Sequence, residues 1–221
     1  MPRKSHMPRV LALLLLASLA ACTTFPEAAD PTSDAPEVQR IQIASFKEAA
    51  SYQQVLQVWR TPEDVNAWIG AKFEYDMSRA MLLSETQRSR SGHLPIHQPH
   101  EFFAAPSGVC VDLSRFAVET LRHIDPNARA SYLMIEFAPV TIGGNTLRMH
   151  WLASFMRDGT YYFFADSKRP GHIAGPYAST EEFIGEYSKY RGRQIVAFRE
   201  LDSYQRKQRR LASEQRHEER P

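Results

Sequence analysis

The chain has 221 residues, 43% hydrophobic and 24% charged, an ordinary globular balance with room for one domain and a sizeable core. It contains no internal repeat and no apolar tract of about 18 residues, which argues against a repeat array and a spanning helix. Basic residues number 27 against 25 acidic, but Arg3, Lys4 and Arg9 lie in the first 21 residues, so the remainder carries 24 against 25 and gives no reason to expect nucleic acid.

Behind those three basic residues comes an apolar run, 10–18, too short for a stable bilayer anchor. It ends in Leu19-Ala20-Ala21-Cys22, which resembles the bacterial lipobox, with small residues directly before a cysteine. The resemblance implies a signal peptide over 1–21, lipidation of Cys22, and a lipid-anchored protein of the bacterial cell envelope. A plain cleaved signal peptide that leaves Cys22 as a thiol is the alternative. Thr23 after the cysteine implies the outer membrane, on its periplasmic face, under the enterobacterial sorting pattern. With Cys22 consumed, Cys110 has no partner in the chain and no disulfide is expected. Residues 22–37 are rich in Pro, Ala, Thr and Asp and read as a flexible tether.

A domain over 38–201 follows. Residues 38–59 read as mostly helical. Thr61-Pro62-Glu63-Asp64 is a helix start, with Thr61 as cap and acids near the positive end, and Val65, Trp68 and Ile69 give that helix its apolar face. A further helix is expected over 77–85. Residues 84–101 are polar, with Pro95 and Pro99, and read as a mobile, solvated loop. His93, His97 and His100 have spacing that suits a metal, but no cysteine or carboxylate stands in register until Glu101, so no metal is expected.

Over 106–124, Leu113, Phe116, Ala117, Leu121 and Ile124 recur at helical spacing, so one face is buried. Ser107-Gly108 reads as the entry, with Ser107 as a cap. Cys110 therefore falls near the first turn, where unpaired N–H groups and the positive end of the dipole favour a thiolate. The bland reading, an inert core cysteine, is the fate of most free thiols.

Strands are expected next, over 130–137, 147–156 and 160–166. In the middle one Arg148, His150, Leu152, Ser154 and Met156 share a face, and Met149, Trp151, Ala153 and Phe155 share the other. A two-residue Asp158-Gly159 loop pairs Asp166 with Trp151, on the face away from His150. A three-residue loop, Arg157-Asp158-Gly159, pairs it with His150, β-carbons about 5 Å apart. The dipeptide permits either. Bringing imidazole and carboxylate together asks for an odd-length loop or a bulge, and the three-residue loop is the expectation. Residues 168–178 read as a loop containing His172, the reserve base. Ser179-Thr180-Glu181-Glu182 starts a helix to about 190, 194–201 reads as a last strand, and 202–221 as a charged, solvated tail whose alternative role is contact with anionic lipid.

Cysteine on a helix, then histidine on a strand, then aspartate on the next strand resembles the transglutaminase-like superfamily of papain-type cysteine enzymes. The matching stretches are Gly108-Val109-Cys110-Val111-Asp112, Met149-His150-Trp151 and 158–166 ending in Asp166, with 61–76 similar to the helical entry of that fold. The resemblance covers 61–201. It implies an α+β fold in which the nucleophile helix packs on an antiparallel sheet. It also implies a triad: Cys110 as nucleophile, His150 as base and acid, Asp166 orienting His150, and the Cys110 N–H as one oxyanion donor. No cofactor is implied. The calcium-binding, adhesin-processing branch carries acidic residues beside the nucleophile; here the flanks are Val109 and Val111, so neither calcium nor that substrate carries over. The expected function is a lipid-anchored cysteine protease or amidase acting on proteins or peptides of the envelope. The alternatives are a non-catalytic binding module, a cross-linking acyltransferase and a cell-wall stem-peptide peptidase.

Overall fold

A computed structural model describes residues 30–37, 45–91 and 94–205. The signal segment 1–21, Cys22, His93 and the tail from 206 onward lie outside the described residues, as does 38–44 of the first expected helix.

The helical half opens with α1 (Tyr52–Val58), shorter than expected because 45–51 is not helical. Then comes α2 (Pro62–Lys72), started as its sequence requires: the Thr61 hydroxyl accepts from Asp64 N–H, and the Asp64 carboxylate accepts from Thr61 N–H. A two-residue strand β1 (Glu74–Tyr75) leads into α3 (Met77–Leu82). The stretch expected as a solvated loop instead holds α4 (Glu85–Ser91) and α5 (Pro99–Ala104), and the link between them is pinned. Arg115 donates to Ile96 O, and His97 N–H to the Asp112 carboxylate, at 2.9 Å each. Then follow β2 (Ser107–Gly108), parallel to β1, and α6 (Cys110–Ile124), whose buried residues include Leu113, Phe116, Ala117 and Leu121.

The sheet half is antiparallel throughout: β3 (Ser131–Ile142), β4 (Asn145–Arg157), β5 (Thr160–Phe164), β6 (Ala174–Tyr177) and β7 (Ile195–Leu201), in the order β6-β5-β4-β3-β7. β6 lies in the stretch expected as loop; its Gly and Pro content hides a short edge strand, the position where such residues are tolerated. Helix α7 (Thr180–Arg191) starts where expected, with Ser179 accepting from Glu182 N–H.

The sheet is covered on both faces. Tyr132, Met134, Trp151, Ala153 and Phe155 pack towards α1, α2, α5 and α6. Leu133, Ile135, Leu152 and Phe163 pack towards Phe183, Ile184 and Tyr187 of α7. The alternation read for β4 therefore divides the two cores. Beyond β7 the chain stays on the domain as far as Tyr204, whose ring lies 5.9 Å from that of Tyr132, so the start of the expected tail belongs to the fold.

The β4–β5 turn corrects an expectation. Arg157 pairs with Thr160 and Ala153 with Phe164, so the loop is the two residues Asp158 and Gly159, not three. Both have positive φ, +52° and +77°, the backbone of a twisted two-residue hairpin turn. By register alone Asp166 would face away from His150. It does not, because β5 stops at Phe164 and Ala165 adopts a left-handed φ of +57°. That one residue breaks the alternation and swings Asp166 back.

Candidate active site

The position of Cys110 is set by its approach. β1 and β2 pair Tyr75 with Gly108, and Asp76 N–H donates to Gly108 O at 2.9 Å. Gly108 is tightly enclosed: a β-carbon there would stand 3.0 Å from both Asp112 Cβ and the Phe102 ring, so these neighbours would have to give way. Val109, not Ser107, is the N-cap of α6 and has no side-chain acceptor. Asp112 supplies one from inside the helix, accepting from Val109 N–H at 3.1 Å, while Arg79 grips its two oxygens at 2.7 and 2.8 Å. Cys110 is thus the first helical residue, and its N–H has no intrahelical carbonyl to take it. With its oxygens so engaged, Asp112 has little to offer a calcium ion.

His150 is fully buried on β4, opposite Ile135, next to an irregularity in the β3–β4 ladder between Glu136 and Val140. Its Nε2 lies 3.2 Å from Asp166 Oδ1. Tyr187 of α7 donates to Asp166 Oδ2 at 3.0 Å, and Arg191, one turn further on, donates to the Tyr187 hydroxyl at 3.1 Å. The sequence reading of α7 missed both residues. Their only trace in the sequence is the Phe183, Tyr187, Arg191 stripe at helical spacing.

Nδ1 of His150 faces a group that sequence reading also missed. It stands 3.3 Å from Asp34 Oδ2 as an ion pair without hydrogen-bond geometry, while Arg191 Nη2 lies 2.6 Å from Asp34 Oδ1. Asp34 belongs to 30–37, expected within the flexible tether; instead these residues pack on the domain, held by Lys168, Arg191 and Arg193. The Cys110 sulfur, an imidazole nitrogen of His150 and an Asp34 carboxylate oxygen lie within 4.8 Å of one another. Since Nε2 is engaged by Asp166, Nδ1 is the nitrogen left for the sulfur. Sulfur, imidazole and carboxylate form a donor set that zinc accepts, though an ion bound there would mask the sulfur.

The charges follow from this geometry. Burial opposes a charge on His150, but Asp34 and the Asp166 hydrogen bond outweigh it and raise its pKa well above the ordinary value. Burial pushes the Asp166 carboxyl up, yet the His150 hydrogen bond and the nearby cations bring it down to about 2. Asp34 is likewise held well below the usual range, burial being overcome by His150 and Arg191. His172 is half-buried in the loop after Asp166, outside the group that meets Cys110, and burial lowers its pKa. His100 is exposed on α5, and His97 enters the site's support through its backbone.

Beside Cys110 runs a cleft lined by Tyr75, Leu83, Ile96, Met149, Trp151 and Tyr204. It holds a cavity of about 110 Å³ with a mainly apolar lining, enough to seat an apolar side chain.

Residues 49–192 match the family described as a transglutaminase-like domain. That span contains Cys110, His150, Asp166, Tyr187 and Arg191, and begins after Asp34. No curated protein matches the chain.

Proposed function

The chain belongs to the transglutaminase-like domain family, and from that membership we propose that it is a cysteine peptidase or amidase that hydrolyses amide bonds through Cys110, His150 and Asp166. The observation that carries the reading is His150: buried, engaged at Nε2 by Asp166, and within 4.8 Å of the Cys110 sulfur. A histidine oriented by a carboxylate and held as imidazolium beside a sulfur on a helix N-terminus is the arrangement that stabilises a thiolate and then delivers a proton to the leaving nitrogen.

The Cys110 thiolate attacks the amide carbonyl carbon. The C–N bond breaks as imidazolium gives its proton to the departing nitrogen, leaving an amine and a thioester. Water then adds to the thioester, its proton passing to His150, and the C–S bond breaks to release a carboxylic acid. The Cys110 N–H serves the oxyanion. Tyr75 is the second donor: its register opposite Gly108 sets it beside the cleft, and burial and the Asp34 charge keep its phenol protonated. The cleft takes an apolar side chain of the substrate. The bacterial envelope is assigned as the location from residues 1–22, with lipid on Cys22.

The test is turnover of peptide amides by the full chain in ¹⁸O-water. Hydrolysis puts the label in the product carboxylate, whereas acyl transfer to an added amine does not. Cys110→Ala and His150→Ala are each expected to lower kcat by about a thousand-fold or more. Undiminished turnover by Cys110→Ala would exclude this chemistry. In cells, envelope cleavage products absent from the Cys110→Ala strain identify substrates.

A further inference from the structure

The mechanism leaves one element of the site without a task, the buried cation Arg191 with the carboxylate of Asp34 upon it. Arg191 is 1% exposed and its guanidinium spans two jobs. Nη1 donates to Tyr187, which steadies Asp166; Nη2 reaches 2.6 Å across to Asp34 Oδ1 beside the reacting sulfur. The first job belongs to the triad. The second is a carboxylate-binding position inside the catalytic cleft.

Its occupant is an addition to the domain. Asp34 precedes the span matched by the family, 49–192. The segment around it is held mostly through its main chain: Arg191 donates to Ser33 O, Arg193 to Thr32 O, Lys168 to Asp30 O, and Glu37 N–H to Lys168 O. Such contacts accept almost any sequence; Asp34 is the side chain of the segment that meets both His150 and Arg191. It sits there as a tethered peptide with one carboxylate in the site.

We propose that Arg191 forms a carboxylate subsite of the enzyme, that its substrates carry a carboxylate on the leaving-amine side of the scissile amide, and that Asp34 is a tethered occupant which such substrates displace. This rests on the proposed hydrolytic function. The side is fixed by His150. The imidazole nitrogen facing Asp34 is the one that must protonate the departing nitrogen, so a carboxylate on Arg191 lies next to the leaving group and not the acyl group. A peptide bond to a C-terminal residue presents that group as its α-carboxylate; a bond to an internal Asp presents it as a side chain. The occupant also competes with the nucleophile. With Asp34 in place its carboxylate is already the counter-ion at the Nδ1 side of His150, so a thiolate there would stand beside a second negative charge. Once Asp34 leaves, the thiolate becomes the counter-ion of His150.

The test compares alkylation of Cys110 by anionic iodoacetate and by neutral iodoacetamide, read by mass spectrometry on the Cys110 peptide of the full chain. In the wild type the anion is the slower reagent. In Asp34→Ala and Asp34→Asn both rates rise, and the iodoacetate-to-iodoacetamide ratio rises about ten-fold or more. Adding Arg191→Gln to Asp34→Ala removes the rise in ratio; adding Arg191→Lys, which keeps a charge, retains part of it. Should iodoacetamide label Cys110 readily while the ratio is the same with and without Asp34, the subsite is overturned and the hydrolase reading stands. Slower labelling by both reagents in the Asp34 variants would make Asp34 a positioning partner of His150 and overturn the proposal. Labelling no faster than an ordinary thiol in every form would overturn the hydrolase reading itself. For Asp34→Ala, C-terminal amidation of a peptide substrate is expected to lower kcat/KM about ten-fold if the α-carboxylate is read. Replacement of an internal Asp by Asn does so instead if the side chain is read. Indifference to both changes would sink the substrate class.

Discussion

Asp112 and Asp166 are both buried aspartates, and their partners give them different work. Asp166 shares its oxygens between His150 and Tyr187, and its environment is tuned by charge. Asp112 is locked: Arg79 takes it in two-pronged fashion, and the N–H groups of Val109 and His97 complete its shell. It ties α3, the 94–98 link and the start of α6 to one point. Asp112→Ala strands the Arg79 guanidinium, which is 8% exposed, and is expected to destabilise the chain by about 3–5 kcal/mol in urea unfolding. A loss below about 1 kcal/mol would show that solvent reaches Arg79 at little cost. The importance of Asp112 was not legible in the sequence. The expected cap was Ser107 where Val109 is the actual one, Arg79 lies 33 residues away, and nothing local links them.

At the scale of elements, the parts that could be read were those governed by a period. The stripe of Leu113, Phe116, Ala117 and Leu121 fixed α6 and brought Cys110 to its first turn, and strand alternation divided β4 correctly between two cores. The join between β4 and Asp166 has no period. Asp158-Gly159 supports either loop length, and Ala165 carries no mark of its left-handed backbone, which alanine rarely adopts. The surrounding packing imposes that conformation. Ala165→Gly keeps the swing that faces Asp166 towards His150, so activity is expected within about three-fold of wild type. Ala165→Val makes the same backbone costly by about 1–3 kcal/mol and crowds a residue that is 1% exposed. It is expected to lower kcat towards the level of Asp166→Ala, with the far-ultraviolet circular dichroism unchanged. A fully active Ala165→Val enzyme would mean that the backbone at 165 does not govern the carboxylate. Arg191 and Asp34 escaped notice for a related reason. A basic residue in the last turn of a helix ordinarily serves the dipole, and an aspartate among Pro, Ala and Thr ordinarily meets water.

For the molecule as a whole, the lipid anchor and the folded domain are separable in this reading. Cys22→Ala is expected to move the protein from the membrane fraction to the soluble envelope fraction while Cys110 labelling stays the same; retention on membranes would remove the lipidation reading. The buried charges, by contrast, concern the fold's stability. Asp166 titrates at about 2 in the fold against an ordinary 3.8, so its contribution is complete above about pH 4 and is lost as pH falls towards 2. Asp34 shifts in the same direction and adds to the acid limb. His150 has the opposite sign: its raised pKa gives a contribution that is full below about pH 6.5 and lost as pH rises through the folded value. Stability should therefore peak between about pH 4.5 and 6.5, with an acid loss from Asp166 on the order of 2 kcal/mol. Tryptophan fluorescence can follow urea unfolding from pH 3 to 9, since Trp59 and Trp68 lie in the core. The double variant Asp34→Asn with Asp166→Asn removes the charges that raise His150, leaving burial to disfavour the imidazolium, so the alkaline loss should vanish and stability should instead fall as pH drops below about 6.5. A wild-type midpoint that rises through about pH 6.5 and then stays level to pH 9 would mean that His150 is neutral in the fold, and that Asp34 and Asp166 hold it by hydrogen bonds and not by charge.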